Sequence, residues 1–244
     1  MSLEWKPEAL GNRLYIVPTP IGNRGDITLR ALHVLHNADA IACEDTRHTG
    51  QLLKSYGIVP RQLIACHEHN ERRCAVRIGQ LLQQGKSVAL LSDAGMPGIS
   101  DPGFLVVRHV LELGYEVTAL PGASALLPAL VGSGLPPQPF AFWGFLPARG
   151  SARREWLQRV VRFPWTSVLY EAPHRLLRLL EELLALGIAE RPMCLARELT
   201  KLHEEFLRGS VGALYEQLRQ RPRIYGECVI VLAGSGGEGT ADHL

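Results

Sequence analysis

Five short apolar segments in the first half of the chain are each followed by a polar turn and then by a helix-like segment. These segments are 14–17, 38–43, 63–66, 88–91 and 115–120. Strands that alternate with helices in this way predict β–α–β units, which pack as a parallel sheet covered by helices. The carboxyl ends of parallel strands lie at one edge of the sheet, and ligands bind there. The sequence therefore predicts an α/β fold with its functional residues in the loops after the strands.

The loop that follows the fourth segment is the most unusual of these loops. It runs from Leu91 to Gly103 and contains three glycines, two prolines and two aspartates. Glycine lets the backbone approach a ligand closely, and proline fixes the shape of a loop in advance. The composition predicts a rigid ligand-binding loop. Taken one at a time, Asp26, Asp101 and Ser124 have a simpler interpretation as helix caps.

The pattern changes after residues 132–139, which are rich in glycine and proline and are typical of a linker. The strands predicted beyond it are 140–145, 167–170, 193–197, a ribbon near 205–209, and 228–232. We therefore predict two α/β domains, the first with a mostly parallel sheet and the second with a mixed sheet. The expected limits are 12–134 for the first domain, 138–234 for the second and 235–244 for a flexible tail.

Several classes of protein are disfavoured. No apolar run approaches the roughly 18 residues of a membrane span, and the amino terminus lacks the pattern of a signal peptide, so we expect a cytoplasmic protein. The five cysteines contain no Cys-x-x-Cys pair. A helical zinc motif that starts at His67 needs a second histidine at position 71, but that residue is glutamate. We expect no metal. Dinucleotide-binding, P-loop and nucleophile-elbow motifs are also missing.

Eight motifs lie in or near the predicted loops, and together they are specific. They are Pro18–Asn23 (PTPIGN), Asp26–Leu32 (DITLRAL), Glu44–Thr49 (EDTRHT), His67–Glu71 (HEHNE), Ser92–Gly103 (SDAGMPGISDPG), Gly144–Pro147 (GFLP), Tyr170–Arg175 (YEAPHR) and Ala196–Lys201 (ARELTK). On these motifs, the chain from about residue 12 to residue 234 resembles the tetrapyrrole (corrin/porphyrin) methylase superfamily. The resemblance is strongest to the branch that methylates ribosomal RNA.

The resemblance implies two α/β domains that bind S-adenosylmethionine in a cleft between them, usually as a homodimer. It also implies 2′-O-methylation of a cytidine in the decoding region of 16S rRNA, either as naked RNA or within the 30S subunit. The cofactor contacts that it implies are Pro20, Ile21, Gly95, Met96, Ile99, Ser124, Ala125, Tyr170 and Ala196.

A ribose hydroxyl becomes a good nucleophile only when a nearby group accepts its proton. The carboxylates available for this role are Glu44, Asp45, Asp93, Glu171 and Glu198, and we favour Asp93 or Glu198 as the catalytic base. Capping or a salt bridge is the alternative role for each of them.

Arginine supplies most of the positive charge, although the formal net charge is only +2. The arginines expected to contact RNA are Arg47, Arg72, Arg73, Arg149, Arg153 and Arg154, together with Arg159, and Trp156 is available for stacking. The alternative for residues 153–162 is the solvated face of an amphipathic helix.

Two other functions stay open at this point. One is a small-molecule methyltransferase acting on a tetrapyrrole or corrin, which would need a broad apolar trough. The other is a non-catalytic RNA- or ribosome-binding protein. The abundance of His, Glu and Arg in the predicted loops favours a polar, polyanionic acceptor.

Overall fold

The computed structural model describes residues 9–236. They form two compact units, and the division falls between Ser124 and Ala125. It therefore precedes the segment 132–139, where the sequence suggested a linker. Most of the predicted tail, residues 237–244, lies outside the described residues. Ser235 and Gly236 are described, and their backbone N–H groups donate to the carbonyl oxygens of Phe163 and Pro164.

The first unit contains a five-stranded sheet and four α-helices. The strands are β1 (Arg13–Ile16), β2 (Ala40–Cys43), β3 (Leu63–Ala65), β4 (Val88–Leu90) and β5 (Glu116–Ala119), and the helices are α1 (Leu29–Asn37), α2 (Thr46–Ser55), α3 (Glu71–Gln83) and α4 (Phe104–Glu112). The strand order is β3-β2-β4-β1-β5, and every neighbouring pair is parallel. The predicted parallel sheet is confirmed.

Helices cover both faces of this sheet. Leu14 and Ile16 of β1 pack with apolar residues of α3 and α4, whereas Tyr15 and Val17 pack with residues of α1 and α2. Successive side chains of a strand point to opposite faces, so a run of apolar residues is buried on both sides. This explains why the central strands read as continuous apolar segments rather than as alternating ones.

Helix α1 begins later than the sequence suggested. Residues Arg24–Asp26 form a 3-10 turn, and Thr28 is the N-cap of α1, with its hydroxyl oxygen 3.0 Å from the backbone nitrogen of Ala31. Asp26 therefore does not cap this helix. In α2, the Asp45 carboxylate accepts hydrogen bonds from the N–H groups of Arg47 and His48 and is the N-cap.

The second unit contains a five-stranded mixed sheet and four α-helices. The elements are α5 (Leu126–Gly132), β6 (Phe140–Phe145), α6 (Gly150–Arg162), β7 (Thr166–Glu171), α7 (Pro173–Ala185), β8 (Pro192–Arg197), β9 (Glu205–Ser210), α8 (Val211–Arg219) and β10 (Cys228–Leu232). The strand order is β6-β7-β10-β8-β9, with β6 and β7 parallel and the other pairs antiparallel. The predicted mixed sheet is confirmed.

The core of the second unit lies between its sheet and helices α6, α7 and α8. Leu157 of α6, Leu180 of α7 and Leu214 of α8 pack with Leu195 and Ile230 of the sheet. Helix α5 contacts β10. Because of this contact, α5 belongs to the second unit and the division falls ahead of it.

Candidate functional site

The loops after β1 and β4 are joined to each other by a short antiparallel bridge. The backbone nitrogen of Thr19 lies 2.9 Å from the Gly95 oxygen, and the nitrogen of Gly95 lies 2.8 Å from the Thr19 oxygen. The buried Thr19 hydroxyl also donates to the Ser92 carbonyl over 3.1 Å, and the Ser92 hydroxyl donates to the Gly95 carbonyl over 3.2 Å. The loop that the sequence marked as unusual is therefore held rigidly against its neighbour.

Glycine lets three of the strand-end loops pack together. Gly95 has a φ of +79°, and a Cβ atom there would lie 3.4 Å from Ile21 Cγ2 and 4.0 Å from the Ala123 oxygen. A Cβ atom on Gly122 would lie 2.9 Å from Pro18 Cβ, too close to be tolerated. The loops after β1, β4 and β5 thus meet at one edge of the sheet through backbone and apolar side chains, as the parallel topology predicts.

Most cofactor residues implied for the first unit lie in these packed loops. Pro20 and Ile21 follow β1, and Met96 and Gly95 stand in the loop after β4, where they are partly or fully buried. Ile99 is 41% exposed although it is a large apolar residue. An exposed isoleucine beside a rigid, glycine-rich backbone is a surface that an apolar ligand group can cover.

Three carboxylates form an acidic cluster at the same edge: Glu44 after β2, and Asp93 and Asp101 in the loop after β4. Burial, together with the charges of Glu44 and Asp93, raises the pKa of Asp101 to about 6, although a hydrogen bond with Ser92 lowers it in part. Burial and the charge of Asp93 also raise the pKa of Glu44. Among residues 9–236, no arginine or lysine forms a salt bridge with any of the three. The acidic cluster therefore has no arginine or lysine partner in that part of the chain, although the nearby charge of His67 lowers the pKa of Glu44 in part.

Asp101 is a candidate proton acceptor that the sequence did not single out, because its position favoured the interpretation as a helix cap. Helix α4 begins at Phe104 with Gly103 in the N-cap position, and no side chain caps it from that position. Instead, the Glu71 carboxylate accepts hydrogen bonds from the N–H groups of Gly103 and Leu105 over 2.8 and 2.9 Å. The signal was present in the sequence, since Pro102 and Gly103 separate Asp101 from the first apolar residue of the helix.

Asp45, next to Glu44, has a different environment. Hydrogen bonds from the N–H groups of Arg47 and His48 lower the pKa of its carboxyl. Its own backbone nitrogen lies 3.2 Å from Asp93 Oδ1, which joins the loop after β2 to the loop after β4. Asp45 therefore caps a helix and positions Asp93, which is one of the two catalytic residues favoured from the sequence.

Glu198, the other favoured residue, lies in the second unit after β8. Its backbone has a φ of +53°, and its Oε1 atom lies 2.7 Å from Lys201 Nζ and 3.0 Å from the Glu227 nitrogen. Burial by itself would raise the pKa of Glu198, but the hydrogen bonds from Lys201 and the Glu227 N–H outweigh it and lower the pKa. These contacts favour a structural role, tying the loop after β8 to the start of β10.

The structure contradicts the prediction that Arg153 contacts RNA. Arg153 is only 1% exposed, and its guanidinium donates to Glu171 over 3.1 Å, to Glu182 over 2.7 Å and to the Pro147 carbonyl over 3.1 Å. It faces inward because it shares the buried face of α6 with Leu157 and Val160. Glu171, which was a candidate base, is buried in the same ion pair and therefore has a structural role in the core.

Two further residues of the second unit were implied as cofactor contacts. Tyr170 is partly buried and packs edge-to-face on Phe142 and Phe145, with ring centroids 4.8 and 5.5 Å apart. Ala196 has no exposed surface and pairs with Val229 and Phe206 in the sheet. The structure does not support a direct contact at Ala196, because neighbouring strands and the core already cover it.

The remaining predicted residues are accessible to different degrees. Ser124 and Ala125 are partly buried just before α5, with Ala125 in its N-cap position. Exposed arginines stand at the first turns of three helices, namely Arg47 in α2, Arg72 and Arg73 in α3, and Arg149 and Arg154 around the start of α6. Helices α2 and α3 follow β2 and β3 in the chain, so Arg47, Arg72 and Arg73 come after the carboxyl ends of these strands.

Two general features complete the description. All five cysteines are free and buried, and within residues 9–236 no group of three His, Cys, Asp or Glu side chains is arranged to hold a metal ion. In the same part of the chain, no helix is both long and apolar enough to cross a membrane.

Comparison with known proteins defines the class to which this fold and these loops belong. A sequence model of the Tetrapyrrole (Corrin/Porphyrin) Methylases matches residues 13–215, and the chain belongs to this family. Solved structures agree on the fold. The chain superimposes on uroporphyrin-III-C-methyltransferase from Thermus thermophilus with a TM-score of 0.61 and 22% identity, covering 93% of this chain and 94% of that one. For diphthine synthase the TM-score is 0.67 with 15% identity, over 90% and 89% of the two chains.

More similar relatives all carry one name, "Ribosomal RNA small subunit methyltransferase I". The relative from Escherichia coli O157:H7 is 47% identical over 223 residues, which cover 91% of this chain and 78% of the relative. The relative from Xylella fastidiosa is 47% identical over 93% of this chain and 84% of its own length. The relative from Micromonospora olivasterospora is 46% identical over 93% and 72% of the two chains. The predicted family is thereby confirmed.

Proposed function

We propose that this protein is an S-adenosylmethionine-dependent methyltransferase of small-subunit ribosomal RNA, acting in the cytoplasm on the ribose 2′-oxygen of a cytidine in the decoding region. The observation that carries the proposal is the 47% identity, over more than nine-tenths of the chain, to relatives named as methyltransferases of small-subunit ribosomal RNA. The cytidine 2′-oxygen as the acceptor rests on the resemblance of the motifs. The rigid strand-end loops and the acidic cluster supply a binding surface and a proton acceptor that such a reaction needs.

The loops of the first unit fit S-adenosylmethionine by their chemistry. Pro20, Ile21, Met96 and Ile99 offer apolar surface, and Gly95 brings the backbone close to it. The loop 91–103 contains no arginine or lysine, which suits a ligand with a positively charged sulfonium group. When bound, this cofactor supplies a methyl group that is already activated for transfer. The contacts implied at Ser124, Ala125 and Tyr170 rest on the resemblance alone.

The protein's own part in the reaction is to position the acceptor and to take its proton. As the ribose oxygen bonds to the methyl carbon, its hydroxyl proton must pass to a base. We propose the acidic cluster for this role, with Asp101 or Asp93 receiving the proton on a carboxylate oxygen. A pKa of about 6 leaves Asp101 ionised at neutral pH while making it more basic than an ordinary aspartate. That value is closer to the working pH, where a general base is most effective.

A homodimer is part of the same proposal. The resemblance implies a homodimer. In addition, Leu127 and Val131, which are four residues apart on α5, have apolar side chains that are 55% and 75% exposed. Exposed apolar side chains that share one helix face are typical of an interaction surface. Light scattering of the purified protein measures this directly, and a monomeric mass at micromolar concentration contradicts it.

The decisive experiment offers unmethylated 30S subunits, naked 16S rRNA and labelled S-adenosylmethionine to the protein. Label should appear at one cytidine in the decoding region, and the adjacent phosphodiester should resist alkaline hydrolysis because its 2′-oxygen is blocked. Label on a base, or transfer to a tetrapyrrole and not to RNA, overturns the proposed acceptor. Calorimetric titration separates the non-catalytic alternative, which predicts no affinity for S-adenosylmethionine.

A further inference from the structure

Four aromatic side chains of the second unit form a continuous row, which we call the aromatic row. Trp143 of β6 lies edge-to-face between Trp156 of α6 and Phe163, with ring centroids 6.0 and 5.5 Å away, and Phe163 contacts Trp165 at 5.6 Å. These distances and angles are those of well-packed aromatic pairs. The four rings of the aromatic row therefore form one packed cluster.

The two ends of the aromatic row are exposed, whereas its middle is anchored. Trp156 is 37% exposed and Trp165 is 41% exposed. Trp143 and Phe163 are partly buried, and the indole N–H of Trp143 donates to the Ser167 hydroxyl over 3.0 Å. Large aromatic rings that are held in place and left open to solvent are suited to stacking, because little side-chain freedom is lost when a flat ligand covers them.

The surface around the aromatic row is positively charged. The Arg159 guanidinium stands over the Trp156 ring, 5.0 Å from its centroid, and Arg162 follows one turn later. Between residues 149 and 165 the exposed arginines are Arg149, Arg154, Arg159 and Arg162, and the only exposed acidic residue is Glu155. Glu155 pairs with Arg159 over 2.6 Å. The other three arginines have no ion pair within the described residues.

This surface is separate from the strand-end loops of the second unit. Phe163 and Trp165 immediately precede β7, whereas Tyr170 and Glu171 end it. A strand advances roughly 3.3 Å per residue, so these two aromatic residues lie at the opposite end of the strand. Whatever the aromatic row contacts is not the group that the strand-end loops contact.

We propose that the aromatic row and its arginines bind unpaired nucleotides of the ribosomal RNA substrate. Bases stack on Trp156 and Trp165, while Arg159 and Arg162 contact the flanking phosphates. Exposed aromatic rings combined with cationic side chains are the two components of single-stranded nucleic acid binding. The inference rests on the proposed RNA substrate, and it adds an RNA contact at the end of β7 opposite to Tyr170 and Glu171.

The test compares two sets of variants in binding a fluorescein-labelled single-stranded oligoribonucleotide. The double variant W156L/W165L removes stacking but keeps apolar bulk, and W156F/W165F keeps both. F104L is the matched control, since Phe104 is an aromatic residue of α4 that is 66% exposed. We expect W156L/W165L to weaken binding by about tenfold or more. The Phe double variant and F104L should stay within about twofold of the unaltered protein.

A second pair of substitutions protects the test against a folding defect. R159Q/R162Q changes only exposed side chains, and it should make the slope of log affinity against log salt shallower by roughly 1.4, since single-stranded RNA loses about 0.7 per phosphate contact. Methylation of 30S subunits by these variants should show a raised KM and a nearly unchanged kcat.

The inference is overturned if W156L/W165L binds the oligonucleotide with unchanged affinity, or if R159Q/R162Q leaves the salt slope unchanged. A change of oligomeric state in these variants also overturns it, because it would mean that a second copy of the chain covers the aromatic row. If the unaltered protein methylates 30S subunits while the variants bind as well as it does, only this inference fails. If the unaltered protein neither binds nor methylates RNA, the proposed function itself fails.

Discussion

The two units treat the carboxylates at their strand ends in opposite ways. In the first unit, the acidic cluster (Glu44, Asp93 and Asp101) has no salt bridge within the described residues, and burial raises the pKa of Asp101 to about 6. In the second unit, Glu171, Glu198 and Glu205 each contact an arginine or lysine. Hydrogen bonds from Arg221 and Arg197 lower the pKa of Glu205 to about 2.

This contrast separates side chains that hold the fold from side chains that are available for chemistry. A carboxylate paired with arginine is a weak base and resists protonation. A partly buried carboxylate without a cation is a stronger base, and it costs stability at neutral pH. Perturbed, uncompensated carboxylates are typical of functional sites. The difference therefore favours the first unit's acidic cluster over Glu198 as the source of the catalytic base.

The largest expected effect comes from breaking the buried ion pairs of Arg153. R153A leaves Glu171 buried with Arg175 as its remaining ion-pair partner, and removing one partner from a set of buried ion pairs is strongly destabilising. We expect the free energy of unfolding to fall by about 3 kcal/mol, measured by urea denaturation. The control is R154A, one residue along on the exposed face, which should change it by less than about 0.5 kcal/mol. A loss of RNA affinity in R153A without a loss of stability would restore Arg153 to the RNA surface.

The next largest effect concerns catalysis. D101N removes the carboxylate whose pKa is raised to about 6, and we expect kcat/KM for methylation to fall roughly 10²-fold, equivalent to about 2.7 kcal/mol. Affinity for S-adenosylmethionine, measured by calorimetry, should change little. D45N is the matched control, because asparagine also caps helices and the substitution keeps the backbone N–H of residue 45 that contacts Asp93. Full activity of D101N across the pH range would remove Asp101 as the base and leave Asp93.

Glu205 should stabilise the second unit in a pH-dependent way. Its pKa lies at about 2 in the folded protein, against 4.5 for an ordinary glutamate, so its stabilisation is present above about pH 4.5 and is lost as the pH falls through 2. E205Q should therefore lower stability at neutral pH by about 2 kcal/mol after allowance for solvent screening. The difference between E205Q and the unaltered protein should shrink in acid unfolding curves. An effect of equal size at every pH would show that packing, not charge, is responsible.

The smallest expected effect is a gain in stability rather than a loss, and it tests the same difference between the carboxylates of the two units. The pKa of Asp101 is raised from 3.8 to about 6, so the folded state binds more protons than the unfolded state between these values and stability falls as the pH rises through them. D101N should be more stable than the unaltered protein at about pH 8, by about 1 kcal/mol after allowance for screening. The gain should vanish near pH 4. Thermal denaturation at both pH values measures this, and a D101N variant that is less stable at pH 8 contradicts the raised pKa.

Much of the architecture could be read from local sequence pattern. The parallel sheet of the first unit follows from apolar segments at regular spacing, and the loop Leu91–Gly103 follows from its glycines and prolines. These signals are local, because the apolar period and the backbone preferences of glycine and proline act within a few residues. The family assignment rests on motifs in the same loops, each of which is a short, continuous run of residues.

The sequence contained a pattern that indicated the burial of Arg153, but another pattern outweighed it. Its spacing from Leu157 and Val160 places it on the apolar face of α6, yet the basic character of the helix favoured Arg153, with Arg154 and Arg159, as RNA contacts. The partners that make its burial tolerable, Glu171 and Glu182, come from β7 and α7. Their proximity depends on how the helices pack on the sheet.

The order of residues was enough to predict the two α/β sheets and the methylase family, because each follows from short-range pattern. The same patterns predict the strand-end loops as the place of function. Which charged groups are available in those loops depends instead on the folded arrangement. Asp101 acquires its raised pKa from burial and from the charge of Glu44 in the loop after β2, and Glu198 loses basicity to Lys201 and the Glu227 N–H. Electrostatic environment depends on distance in space and on access to water, and both arise only when distant parts of the chain pack together.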